Sequence, residues 1–352
     1  MARARRPVRH PVVVVAVTLV AVFAAAELTV RWLEPQLPIV RAGDAAQMVL
    51  KAERIERIAA SDPNVDVVFF GTSMMDSAVS PEAFLASSPS IDSTYNAGVV
   101  GAPTATQVRW AEEIVLANLD PDVIVLGIHP IDLLLTDVLN LNIQPQQADV
   151  VFGRVLRETK KGPIGDAERF LYDQVALVQQ RGNLRRPQLV TEAAWNQVVG
   201  NEPKRFIPLR DEDDWRPLLS PLGESALFHG ETFRITPVQE QLRANMRADA
   251  FSVADLHRLF EVTLGEGARV VVVIPPVPVQ AWQEVGIDLS ALSAGTALIR
   301  SIAADFDVPV LDFSFAGYPN EAFADLVHMN ERGADRFSRE LAQRIERELA
   351  NG

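Results

Sequence analysis

The chain has 352 residues, 48% hydrophobic and 22% charged, with no cysteine and a formal net charge of −13. This length and apolar content suit one large or two small domains with a real core, and exclude a disordered chain or a polytopic membrane protein. Lack of cysteine excludes disulfide staples, thiolate zinc sites, iron–sulfur clusters and a cysteine nucleophile, and the acidity argues against nucleic-acid partners, whose phosphates it would repel.

Arg3, Arg5, Arg6 and Arg9 make a basic head, ahead of an apolar run from Val12 to Ala26 interrupted by one threonine. At about 1.5 Å per residue that run is short for a hydrocarbon core of about 30 Å. Extended to Val30 it takes in Glu27, which would sit at the far interface with Arg31 and Trp32 as anchor. The basic head predicts a cytoplasmic N-terminus, a single-pass anchor in the cell membrane over residues 1–32, and an extracytoplasmic remainder. The rival reading is a cleaved signal peptide ending near Ala24-Ala25-Ala26. Both export the body.

Residues 33–60 read as linker followed by a helix from about Ala45 to Ala60, stopped at Asp62-Pro63. Val65–Phe70 is a short β-branched and aromatic run that predicts a buried strand ending at Gly71-Thr72-Ser73, and Tyr95-Asn96-Ala97-Gly98 closes a second. Thr104 is the expected cap of a helix whose stripe is Val108, Ala111, Val115 and Leu119. Val123–Leu126 is a third strand, ending at Gly127. A helix from about Val238 to Leu264 leads into Arg269–Ile274, a fourth strand broken by Pro275-Pro276. A helix from about Leu289 to Asp305, a strand at Val308–Leu311 and a last helix capped by Asn330, with stripe Ala334, Phe337, Leu341 and Ile345, complete the chain.

Continuous apolar strands alternating with amphipathic helices predict a parallel sheet covered on both faces, a three-layer α/β/α sandwich over residues 61–352. Residues 135–235 break the alternation and read as an insertion or cap. They hold the acidic run Asp211–Asp214, which reads as a solvated loop, and the tryptophans Trp195 and Trp215. In open sheets of this kind, sites form at the carboxyl ends of strands. Ser73, Gly98, His129 and Pro275 all fall there.

Ser73 and the Asp325-Leu326-Val327-His328 segment are the strongest chemical pairing. A serine hydroxyl needs a base to become nucleophilic, and histidine is the base suited to neutral pH. A carboxylate three residues before the histidine can orient it and stabilise its charged form. Each residue also has a plainer reading: Ser73 as a helix cap, His328 as a surface histidine, Asp132 as a cap or a partner of His129. His229 and His257 lack partners at metal-ligand spacing, and Gly98 and Gly101 lack a nucleotide-loop pattern, so no metal or cofactor is expected.

These blocks resemble the SGNH, or GDSL-like, hydrolase family: Gly71-Thr72-Ser73-Met74, with Thr72 where the family has aspartate; Asn96-Ala97-Gly98; and Asp325-Leu326-Val327-His328 running into a final helix. The resemblance covers residues 65–130 and 238–350. It implies Ser73 as nucleophile, His328 as base and Asp325 as its partner. It also implies an oxyanion hole built from the backbone of Ser73 and Gly98 and from the position held by His129, where the family has asparagine. The implied activity is ester hydrolysis or O-acyl transfer through an acyl-serine. One outer domain on one anchor is similar in layout to cell-envelope proteins related to alginate O-acetyltransferases and to the D-alanyl transfer protein of teichoic acids. The layout implies an acylated envelope glycan or small acyl ester as substrate, with a multi-pass membrane acyltransferase as a partner. Thr72 and His129 motivate the alternative, a non-catalytic glycan-binding or assembly module that keeps the fold.

Overall fold

The computed structural model describes residues 11–37, 43–134, 174–185, 187–201, 216–235, 253–265 and 267–351, with isolated positions between them. The chain divides into two compact units, Met1–Arg41 with Asp149–Pro208, and Ala42–Ala148 with Leu209–Gly352. The predicted insertion is split between the two units. The helix before the first strand belongs to the α/β unit, because its Met48, Lys51, Ala52 and Ile55 are buried there.

In the first unit, helix α1 (Pro11–Leu33) is long and apolar enough to cross a membrane, and its valine, leucine and phenylalanine side chains are largely exposed. Glu27 does not stand free. Its carboxylate accepts from the N–H groups of Ala176 (2.8 Å) and Leu177 (3.0 Å), while Arg31 donates to the Gln174 carbonyl at 2.6 Å. A carboxylate there satisfies N–H groups that a helix start leaves without intrahelical partners. Leu33, Leu37 and Ala193 form a small apolar cluster in the same unit.

The second unit is a five-stranded sheet, with strands in the order β2-β1-β3-β4-β5 and all pairs parallel. The strands are β1 (Asn64–Phe70), β2 (Thr94–Asn96), β3 (Asp120–Gly127), β4 (Arg269–Ile274) and β5 (Val310–Asp312). Every predicted strand is present, the last shifted by two residues at its start. Alternate side chains point to opposite faces. Val67, Phe69, Val123, Val125, Val271 and Val273 join one cluster with Phe337, Leu341 and Ile345 of the terminal helix (Glu331–Asn351). Val68, Phe70, Ile124, Leu126 and Val272 are equally buried, so the second face is covered too. The helix at Ala254–Gly265 contacts β4 and the Thr104–Trp110 helix. Only the end of the predicted 238–264 helix is described as continuous helix; much of its first half lies outside the described residues, as do Asp211–Asp214 and Trp215. Thr104 is the first residue of its helix rather than its cap, which is Pro103. Asn330 does cap the terminal helix, accepting from the Gly333 N–H at 3.2 Å.

The topological switch of this strand order lies between β1 and β3, where the chain leaves in opposite directions from neighbouring strands. Ser73 follows β1 and His129 follows β3, so both stand at the crevice that the topology opens.

Candidate active site

Ser73 opens the short helix α2 (Ser73–Ala78), with Thr72 as its cap. Two glycines seat this helix. A Cβ on Gly127 would lie 1.6 Å from Met75 Cγ, and one on Gly71 would lie 2.6 Å from the same atom and 2.8 Å from the Gly127 carbonyl. The helix therefore rests directly on the ends of β1 and β3, which fixes the serine at the sheet edge.

His328 reaches this serine from 255 positions away. Its Nε2 lies 2.8 Å from Ser73 Oγ, and its Nδ1 lies 2.9 Å from Asp325 Oδ2. An ionised carboxylate only accepts, so Nδ1 carries the proton and Nε2 accepts from the serine hydroxyl. That tautomer can take a proton from serine. The other oxygen of Asp325 accepts from the N–H groups of Val327 (2.8 Å) and His328 (2.9 Å). Burial pushes the Asp325 carboxyl up, but the His328 charge and these hydrogen bonds outweigh it and hold the group below its ordinary value. Beneath this loop, Trp282 donates its indole N–H to the Leu326 carbonyl at 2.7 Å.

The two departures from the resembled family's pattern, Thr72 and His129, belong to one network. The His129 N–H donates to the Asp132 carboxylate at 2.8 Å, the Thr72 hydroxyl faces the same carboxylate and draws it down, and His129 Nδ1 accepts from the Ile131 N–H at 3.2 Å. His129 and Asp132 thus cap the turn after β3 reciprocally: Asp132 acts as the cap partner of the His129 backbone, and the ring is met by Ile131 instead. His129 is fully buried, which lowers its ring to about 3 and keeps it neutral. Among the described residues its Nε2 has no hydrogen-bond partner, and the ring meets Trp282 edge-on at 5.9 Å.

Gly98 serves packing as well. Its N–H donates to Asn96 Oδ1 at 2.9 Å, and an added Cβ would lie 2.9 Å from the Asp76 nitrogen. The geometry therefore commits the Gly98 N–H elsewhere and encloses the His129 ring, while the Ser73 N–H makes no hydrogen bond among the described residues.

No family model and no curated protein matches the chain. Among solved structures, one of a Bacteroides fragilis protein named as a candidate acylhydrolase is similar at 12% identity, over 84% of this chain and 96% of that one, with a TM-score of 0.38.

Two features of the site were not singled out from sequence. Lys51 and Asp76, both fully buried, pair at 2.6 Å behind the serine helix. Lys51 also donates to the carbonyls of Asn96 (3.0 Å) and Gly98, and Gln47 donates to Asp76 at 2.9 Å. Burial pushes Lys51 down and Asp76 up, while their mutual attraction opposes both shifts. The sequence held a signal: Lys51 lies on the stripe Met48, Ala52 and Ile55, where a charge needs a buried partner. The second feature is Phe228, whose ring stacks on that of His328 with centroids 3.9 Å apart. It comes from the predicted insertion, and nothing in its local sequence marks it. A groove of about 740 Å³ lies along the same segment, lined by Ser80, Glu224, Ala226, His229, Glu331 and Arg332 among others.

Proposed function

We propose that this chain is a membrane-tethered, extracytoplasmic serine esterase or O-acyltransferase. The observation that carries the reading is the continuous line from Asp325 through His328 to Ser73, with contacts of 2.9 and 2.8 Å and the tautomer that general-base catalysis requires. Helix α1 supports the tether.

In this reading His328 Nε2 removes the Ser73 proton as Oγ forms a bond to the substrate carbonyl carbon. The tetrahedral oxyanion faces the Ser73 N–H at the start of its helix, where a helix presents donors to negative charge. Collapse breaks the ester C–O bond, and the imidazolium returns its proton to the departing alkoxide. The resulting acyl-serine is resolved by a second hydroxyl, deprotonated by the same ring: water for an esterase, a sugar hydroxyl for a transferase. Asp325 holds the ring's tautomer and stabilises its charged form throughout.

The groove, whose lining includes none of Ser73, Asp325 and His328 but runs along the segment that carries Phe228, is within the size range of small-molecule sites, and its lining mixes carboxylates, two guanidinium groups and hydroxyls. That lining supports a hydrogen-bonding, polyhydroxylated acceptor. The substrate class proposed is therefore an acyl, in the first instance acetyl, group on a cell-envelope glycan, with a multi-pass membrane acyltransferase as the partner that supplies acyl groups. The second reading, a non-catalytic module of the same fold, is favoured by the bound Gly98 N–H and the enclosed His129 ring, which leave few donors for an oxyanion.

The test uses the full chain in detergent. It should hydrolyse a chromogenic acetyl ester and be labelled by a fluorophosphonate at Ser73, and both should vanish in Ser73→Ala. Absence of both in the unaltered chain, or wild-type function in cells carrying Ser73→Ala and His328→Ala, favours the non-catalytic reading.

A further inference from the structure

The two hydrogen bonds that hold His328 are made by its ring nitrogens, whose N–H and lone pair point within the plane of the ring. They fix Nδ1 against Asp325 and Nε2 against Ser73. They do not stop the ring from tipping out of that plane, a swing that would turn the Nε2 lone pair out of line with the serine hydroxyl. One face of the ring is covered by Phe228, at 3.9 Å between centroids and only 9° from parallel.

Phe228 is held there by a segment tied to both halves of the site. It ends a 3-10 turn, Ala226–Phe228, capped by Ser225, whose hydroxyl accepts from the Leu227 N–H at 3.3 Å. Ser225 is fully buried and its hydroxyl faces Asp76, whose carboxyl it draws down, on the helix that starts with Ser73. Just before it, Leu222 accepts from the Asn96 N–H at 2.9 Å, and Arg54 donates to the carbonyls of Leu219 (2.8 Å) and Ser220. Just after it, the Arg234 N–H donates at 3.0 Å to the Ala324 carbonyl, the residue before Asp325. The segment 219–234 thus bridges the serine side and the histidine side of the site, and sets one aromatic ring flat on the imidazole between them.

We propose that Phe228 is a positioning residue of the acyl-transfer reaction, and that the segment 219–234 is the strap that delivers it. Its flat face blocks the swing of His328 and lies against the ring that becomes positively charged when Ser73 gives up its proton. An aromatic face attracts such a cation. This inference rests on the reading of His328 as the base.

The experiment compares the full chain with Phe228→Leu and Phe228→Tyr. A positioning role predicts that Phe228→Leu lowers kcat about tenfold, since one barrier increment of that size follows from a modest loss of alignment, with KM changed less than about twofold. Phe228→Tyr keeps the ring and should recover kcat to within about threefold of the unaltered chain. Unchanged kcat in Phe228→Leu, or a rise in KM alone, overturns the proposal, the latter by making Phe228 a wall of the substrate site. A second readout needs no turnover: the Nδ1 proton of His328, observed by NMR in histidine-labelled protein and assigned by its loss in His328→Asn. It should be present in the unaltered chain and in Phe228→Tyr and broadened away in Phe228→Leu. Its persistence in Phe228→Leu overturns the proposal even if no substrate is ever turned over, whereas inactivity of the unaltered chain with the expected NMR pattern counts against the catalytic reading alone.

Discussion

Lys51, on the helix before β1, and Asp76, three residues past Ser73 on the helix that Ser73 begins, form an ion pair with no exposed surface, 2.6 Å apart. The ammonium has three protons and finds three acceptors: Asp76 and the carbonyls of Asn96 and Gly98. It therefore ties the helix before β1, the serine helix and the loop after β2 into one unit. Removing one partner of a buried pair strands the other's charge, at a cost of about 3–5 kcal/mol, whereas replacing both with apolar groups of similar volume costs far less. Lys51→Met and Asp76→Leu should each destabilise the chain strongly, and the double variant should be more stable than either. Chemical unfolding of the three variants measures this; additive losses would mean that the two residues act independently.

His129 and Asp132 give opposite pH dependences. Burial lowers His129 to about 3 from an ordinary value of 6.5, so its contribution to stability is present above about 6.5 and is lost as pH falls. Burial raises Asp132 to about 6 from 3.8, against the bonds from His129 and Thr72 that lower it, so its contribution is present below 3.8 and is lost as pH rises through 6. Each slope is at most about 1.4 kcal/mol per pH unit, and smaller for Asp132, which keeps some contact with solvent. Between pH 4 and 6 the two oppose. Relative to the unaltered chain, Asp132→Asn should gain stability as pH rises over that range, because only the histidine then titrates. His129→Asn should lose stability over the same range. Urea unfolding at three pH values decides it, and slopes of the same sign would contradict the assignment.

The sheet was legible because its strands are short continuous runs such as Arg269–Ile274, which only a covered parallel sheet accommodates. That Ser73, Asp325 and His328 meet was legible because a hydroxyl, a carboxylate and an imidazole have distinctive chemistry together, and strand ends in an alternating chain point to one edge. The strap was not. Phe228 and Ser225 act through a stacking contact and a polar contact with residues about 100 and 150 positions away, and such pairings leave no local period. The roles of Gly98 and His129 were also closed to sequence, since Asn96 and Asp132 compete for the backbone N–H groups that a motif alone leaves free.

Asp325 combines two tasks that two substitutions separate. One oxygen faces His328 Nδ1, and the other accepts two backbone N–H groups of the loop that carries the histidine. Asp325→Asn can keep the loop's acceptor but presents an amide to the ring, which favours the wrong tautomer. A loss in kcat of about 10³–10⁴ with little loss of stability is expected. Asp325→Ala removes the acceptor as well and should lower the melting temperature in addition. Equal melting temperatures for the two variants would show that the loop does not depend on the carboxylate.

Gly127 and Met75 occupy what would be the same space. A Cβ built on Gly127 falls 1.6 Å from Met75 Cγ and 2.3 Å from its sulfur, so alanine at 127 must displace the methionine that seats the serine helix on β3. Overpacking of this kind typically costs about 1–3 kcal/mol. Here it should also move Ser73 from its 2.8 Å contact with His328, so activity on an acetyl ester should fall further than stability does. Shortening the methionine opens the space: Met75→Ala alone should be destabilising through the cavity it leaves, yet combined with Gly127→Ala it should recover part of the stability lost by Gly127→Ala. Thermal melts of the two single variants and the pair give the coupling, and a pair that is simply the sum of its singles would show that the glycine is required for some other contact.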